Sequence, residues 1–179
     1  MIKKCAIIVI FLLILFSLTF AQVHGRIAPE LNGIDINGRP FSLSAYKGRT
    51  ILVSFWAIWC DKCKKRFPHF AVLQNKYANR GFIVILVNID PKDKWPNALL
   101  YLRSNNIYFP VLAFAEPEKL VNYRLDAIPF QIVIDKNFVV KWTGFSAPND
   151  FEIEEILDTR QRQPRTPGQD DLPGDIEPE

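Results

Sequence analysis

Two cysteines three apart stand out in SFWAIWCDKCKKRFPHF, residues 54–70. Such a pair can clip a metal, staple a fold, or make and break a disulfide as its work. Zinc takes about four ligands. Beyond the N-terminal segment the chain offers only Cys60, Cys63 and His69, with His24 at the segment's edge. His69 lies six residues past Cys63, beyond Pro68, and reads as a partly exposed helix residue. No resident metal site is expected. Copper(I) held by the two thiolates for delivery is the alternative use of the pair, although the only methionine is Met1. A staple across two residues closes too small a loop to restrict the unfolded chain much. A working dithiol is the strongest reading.

That reading needs particular elements around the pair. TILVSFWA, residues 50–57, is a nearly unbroken β-branched and aromatic run, as in a strand buried on both faces. After a short turn, Cys60 falls at the N-terminus of a helix expected over residues 60–79, where Phe67, Phe70, Val72, Leu73 and Tyr77 form the apolar face and Pro68 introduces a kink. Free backbone N–H groups and the positive end of the helix favour an anion there. Cys60 is therefore the expected nucleophilic thiolate, and Cys63, deeper in the helix, the resolving sulfur. Exchange between them needs no cofactor beyond the Cys60–Cys63 disulfide itself. Asp61 and Lys62 between them tune the redox poise in opposite directions, because Lys62 favours the thiolate and Asp61 opposes it. Trp59 either packs or forms an apolar rim for a docking partner.

The remaining pattern sets the fold class. LNGIDINGRPFSL, residues 31–43, carries an Asn37-Gly38 hairpin signal, and FIVILVNID, residues 82–90, is a second buried strand after Gly81. A helix follows at 95–106, a short strand at 109–114, a short helix at 116–124, a hairpin of 130–135 with 138–144, and a capped helix at 149–160. Strand-helix-strand, then helix, hairpin and helix, predicts an α/β domain with a central mixed sheet flanked by helices.

Both chain ends fall outside that domain. Residues 1–25 hold Lys3 and Lys4 ahead of an apolar run from Cys5 to Phe20, which reads as a signal peptide or an N-terminal membrane anchor. Residues 160–179, with four prolines, two glycines and no aromatic residue, read as a disordered Pro-rich tail. The domain between, residues 26–159, has 17 basic against 14 acidic residues and gives no nucleic-acid signature. Export would put Cys60 and Cys63 where disulfides are permitted.

FWAIWCDKC followed by KKRFP resembles the thioredoxin superfamily. With the LNGIDINGRPFSLSAYKGRTILVSFWA lead-in and IPFQIVIDKNFVVKWTGF, the chain is similar to extracytoplasmic TlpA/ResA-type thiol-disulfide oxidoreductases over roughly residues 27–158. The resemblance implies a thioredoxin-like fold with an N-terminal β-hairpin extension. It implies that Ile128-Pro129 is a cis-proline loop whose backbone, at Ile128, pairs with the bound substrate. It further implies a periplasmic location, protein thiol or disulfide substrates, a reducing role such as cytochrome c maturation, and a membrane electron-relay protein as donor. Three positions depart from the family pattern. Lys62 replaces a common proline, Ser54 stands where thioredoxins bury a carboxylate, and Pro91 takes the slot of a glutamate, leaving Asp90 as the nearest candidate for proton transfer. Asp90 equally fits a strand-end residue capping a turn. A peroxiredoxin reading fails at Ala57, which stands where a threonine is needed.

Overall fold

Seven-residue runs with no polar interruption longer than one residue must be buried on both sides, and two such runs make the centre of the sheet. In the computed structural model, which describes residues 25–113, 120 and 122–158, they are β3 (Thr50–Trp56) and β4 (Phe82–Asn88), buried at every position and paired in parallel. Around them lie β1 (Asn32–Asp35), β2 (Pro40–Ser42), β5 (Val111–Ala113), β6 (Phe130–Ile134) and β7 (Val140–Gly144). The order is β2-β1-β5-β4-β3-β6-β7, with β3, β4 and β5 parallel and every other pairing antiparallel. This is the mixed sheet expected, with the β1–β2 hairpin at one edge. The hairpin turns through four residues rather than two: Asp35 Oδ1 accepts from the N–H groups of Asn37 and Arg39, both at 2.8 Å, and Gly38 adopts φ +84°.

Side chains alternate across the sheet, so one strand feeds two cores. Ile51, Val53 and Phe55 of β3 pack with Leu31, Leu43, Leu120 and Tyr123 on one face. Leu52 and Trp56 point the other way, into a core shared with Cys60, Cys63, Phe67, Phe70 and Leu73. Three helices cover this second face: α2 (Phe67–Tyr77), α3 (Trp95–Ser104) and α4 (Asp150–Leu157). Asn149 opens α4 with a reciprocal capping box, its Oδ1 accepting from Glu152 N–H at 3.0 Å while Glu152 Oε2 accepts from Asn149 N–H at 2.7 Å.

The helix expected over 60–79 is two helices. A single turn, α1 (Asp61–Lys64), ends at Lys65, and α2 begins at Phe67 with Pro68 in its first turn. Pro68 therefore starts a helix rather than kinking one, because a first-turn residue has no N–H bond to lose. Val72, expected on the buried face, is exposed, while Phe67, Phe70, Leu73 and Tyr77 are buried. Along the opposite edge of α2, Lys76 Nζ reaches Asp150 at 2.8 Å and Glu154 at 3.5 Å, Tyr77 Oη donates to Glu154 at 2.8 Å, and Arg80 pairs with Asp158. These contacts brace α2 against α4.

Among the described residues no helix is long and apolar enough to cross a membrane. The segment 1–24, the tail 159–179 and most of the helix expected over 116–124 lie outside the described residues.

Candidate active site

The strand that carries the cysteines ends at Trp56, and the chain turns through Ala57–Trp59 into α1. Cys60 N–H donates to Ala57 O at 3.0 Å, which closes that turn. Cys60 is the N-cap of α1, and its Sγ accepts from Cys63 N–H at 3.2 Å. Cys60 and Cys63 are joined by a disulfide. Cys60 keeps 6 % of its surface and Cys63 1 %, so both residues are buried and the first is the less so. With α1 only four residues long, the stabilisation of a Cys60 thiolate comes from this near N–H rather than from a long dipole.

Between the sulfurs, Asp61 and Lys62 are both exposed. Asp61 is not alone: Lys64 Nζ lies 2.7 Å from its carboxylate, and this hydrogen bond and charge hold the Asp61 carboxyl below its usual range. Lys64 also sits 5.3 Å above the Tyr101 ring. The negative residue in the Cys-x-x-Cys loop thus has its own counter-ion one turn away.

The Ile128-Pro129 peptide bond is cis and leads directly into β6, beside the end of β3. Ile128 packs against both cores. Together with Trp59, Ile89, Leu120, Leu125 and Ala127 it lines a hollow of about 250 Å³. Trp59 is 68 % exposed, a large apolar ring left in solvent one residue before Cys60. The buried aromatic is Trp56, which meets Phe67 edge-on with ring centroids 5.2 Å apart.

Asp90 is fully buried just past β4. Its Oδ2 accepts from Ile58 N–H and from Asn88 Nδ2, each at 2.7 Å, and its backbone carbonyl accepts from Trp95 Nε1 at 3.0 Å. The carboxylate thus fastens the loop before Cys60. Its Oδ1 is buried with no hydrogen-bond partner, as are Asn88 Oδ1 and Trp56 Nε1. Ser54, also buried, faces Gln131 across the β3–β6 pairing, and Gln131 Nε2 lies 3.5 Å from Ser54 Oγ. Arg66 Nη1 donates to Gln131 Oε1 at 2.8 Å. Burial lowers the Arg66 pKa, although the guanidinium remains charged at neutral pH. His69 donates to Pro148 O at 3.0 Å.

Sequence reasoning named Trp59, Cys60, Asp61, Lys62, Cys63, Asp90, Ile128 and Pro129, and all eight lie at the end of the sheet where β3 and β4 finish and β6 begins. Lys64 and Arg66 were expected, with Lys62 and Lys65, only to add positive potential beside Cys60; their pairings with Asp61 and with Gln131, and the role of Asn88, were missed. The one available signal was Gln131, a single amide in the otherwise apolar strand FQIVI. Among the described residues no group of three His, Cys, Asp or Glu side chains is placed to hold a metal ion.

Comparison with known proteins fits this geometry. The model of the AhpC/TSA family matches residues 24–143, two thirds of the chain. The chain belongs to the AhpC/TSA family. Within this family setting it is 28 % identical over 127 residues to the thiol-disulfide oxidoreductase ResA of Geobacillus thermodenitrificans, covering 70 % of this chain and 71 % of that one. It is 30 % identical over 113 residues to ResA of Bacillus subtilis, covering 63 % and 62 %. The thioredoxin domain of a thiol-disulfide oxidoreductase from Bacteroides vulgatus superimposes with a TM-score of 0.66 at 25 % identity, over 75 % of this chain and 98 % of that one. This AhpC/TSA member has a thioredoxin-like fold and is a thiol-disulfide oxidoreductase.

Proposed function

We propose that the protein is an extracytoplasmic reductant of disulfides in protein substrates. The observation that carries this reading is the Cys60–Cys63 disulfide at the start of a helix, beside the cis Ile128-Pro129 loop and the exposed Trp59. In the forward cycle the Cys60 thiolate attacks one sulfur of a substrate disulfide. The substrate S–S bond breaks, and its second sulfur leaves as a thiolate that takes up a proton. The Cys63 thiolate then attacks Cys60 Sγ, forming the Cys60–Cys63 bond and releasing the first substrate sulfur. The substrate gains two electrons and two protons, and the protein is left in the disulfide form described above. No cofactor is needed.

The remaining roles follow the same geometry. Trp59 and Ile128 offer apolar contact to the substrate chain, and the backbone at Ile128-Pro129 pairs with it. Asp61 and Lys62 tune the poise, with Lys64 offsetting Asp61. Asp90, with one free carboxylate oxygen, is the group available for proton transfer at this end of the sheet. The donor that restores the dithiol is a membrane electron-relay protein, and residues 1–25 target or anchor the domain of residues 26–159 outside the cytoplasm, with residues 160–179 as a tail. Maturation of cytochrome c is one process that needs such a reductant.

Insulin reduction followed by turbidity tests the cycle. Cys60→Ser removes turnover, and Cys63→Ser accumulates mixed disulfides that a non-reducing gel displays. If Cys60→Ser trapped adducts and Cys63→Ser did not, the two roles would be reversed. Equilibration with glutathione tests the direction of electron flow. A potential near the oxidising extreme of about −120 mV would overturn the reductant reading.

A further inference from the structure

Arg66 is half-buried on the sheet face that carries the cysteines, and no carboxylate among the described residues forms a salt bridge with it. Its holder is a neutral amide, Gln131 Oε1, and Gln131 is in turn completely buried beside Ser54. Taking a guanidinium partly out of water without an opposite charge is costly, so a counter-charge is to be sought nearby. The chain itself points to one. Arg66 follows Cys63 by one helical turn, and its N–H donates to Cys63 O at 3.1 Å. Ser54 precedes Phe55, whose carbonyl oxygen lies 3.9 Å from Cys63 Sγ. The line Arg66–Gln131–Ser54 therefore begins one turn past Cys63 and ends one residue from the carbonyl against its sulfur.

We propose that Arg66, fixed by Gln131 and Ser54, is a positioning residue whose positive charge stabilises the Cys63 thiolate as that sulfur attacks the mixed disulfide. This rests on the reading of Cys63 as the resolving sulfur. The other charged or titratable groups around Cys63 are accounted for. On its own helical segment are Cys60, the Asp61–Lys64 pair, Lys62, Lys65 and His69. From α3 comes Tyr101, under Lys64; from the end of β4 comes Asp90, bound to Ile58 and Asn88. β3 and β6 supply the neutral Ser54 and Gln131, and α4, which shares this core, carries Glu152, bound to Trp142 Nε1, and Asp150 and Glu154, both bound to Lys76.

Stopped-flow reaction of the reduced full-length protein with 5,5′-dithiobis(2-nitrobenzoate) separates the two steps. The first aromatic thiolate is released at a rate proportional to reagent concentration, as Cys60 attacks. The second is released at a rate independent of concentration, as Cys63 resolves the adduct. In Arg66→Gln the effect falls on the second phase. A rise of about one unit in the Cys63 pKa lowers the thiolate fraction tenfold and restores about threefold in nucleophilicity, so the phase slows roughly threefold at pH 7. Its pH profile moves upward by the same unit, and Arg66→Lys brings both back toward the parent. Gln131→Met, which frees the guanidinium, slows the second phase in the same direction and decides the matter should Arg66→Gln fail to fold. An unchanged second phase and pH profile in whichever of these variants folds overturns the proposal. Release of a single aromatic thiolate by the parent protein instead overturns the dithiol cycle itself, and this inference with it.

Discussion

The segment that carries the cysteines is held at both ends by buried polar groups, and the two holds differ in charge and in grip. Ahead of Cys60, the Asp90 carboxylate takes two short hydrogen bonds, one from the backbone N–H of half-buried Ile58 and one from the Asn88 amide, with Asp90 and Asn88 both fully buried. Behind Cys63, the Arg66 guanidinium makes one bond to Gln131, which has one long contact with Ser54. The first hold fixes backbone, and its removal leaves buried donors unsatisfied. The second fixes a side chain that can turn to water when released. Asp90 should therefore matter most to stability, and Arg66 to the chemistry at the sulfurs.

Asp90→Ala puts this contrast at greatest risk. It strands Ile58 N–H and Asn88 Nδ2, each worth about 1–3 kcal/mol when buried and unpaired, so urea unfolding of the oxidised protein should show a loss on the order of 3 kcal/mol. Asp90→Asn keeps an acceptor oxygen and should lose clearly less. Arg66→Gln should cost less, about 1–2 kcal/mol in the same assay, because it leaves one buried acceptor, Gln131 Oε1, without its partner rather than two donors. A loss equal to that of Asp90→Ala would erase the distinction. Trp59→Ala, between the two holds, should change stability by less than about 0.5 kcal/mol. It should raise KM for insulin while leaving reaction with a small disulfide unaltered. The smallest effect lies away from both, in the brace between α2 and α4. The hydrogen bond from Lys76 holds the Asp150 carboxyl low, and the bond from Tyr77 Oη does the same for Glu154. Carboxylates with depressed pKa values contribute stability above their unfolded pKa of roughly 4, and that contribution disappears as pH falls through the lower folded value. Lys76→Met should lower the thermal midpoint slightly at pH 7 and flatten its fall below about pH 4, so that variant and parent converge in acid.

Much of this was legible in the sequence where the signal is local. Unbroken apolar runs located β3 and β4, and an Asn or Asp cap located the start of α4. The Cys-x-x-Cys spacing placed both sulfurs at one helix start. The break between α1 and α2 was not legible, because Phe67, Phe70, Leu73 and Tyr77 keep helical spacing across a proline that starts a helix as readily as it bends one. The two holds escaped for a different reason. Ile58 and Asp90 are 32 residues apart, and Arg66 and Gln131 are 65 apart. Only the strand register brings them together, and a register is a property of the assembled sheet.

The point at which the chain enters the domain has a consequence for how the molecule can be used. Gly25 N–H donates to Val140 O and Ala28 N–H to Phe138 O, at the end of the β6–β7 hairpin farthest from Cys60. The described chain also ends near that pole, where Asp158 pairs with Arg80 below α2. Any leash running through residues 1–24 is thus tied to the back of the domain. Held that way to a surface, the molecule faces outward, and its reach toward a client is set by the full depth of the sheet rather than by the leash alone.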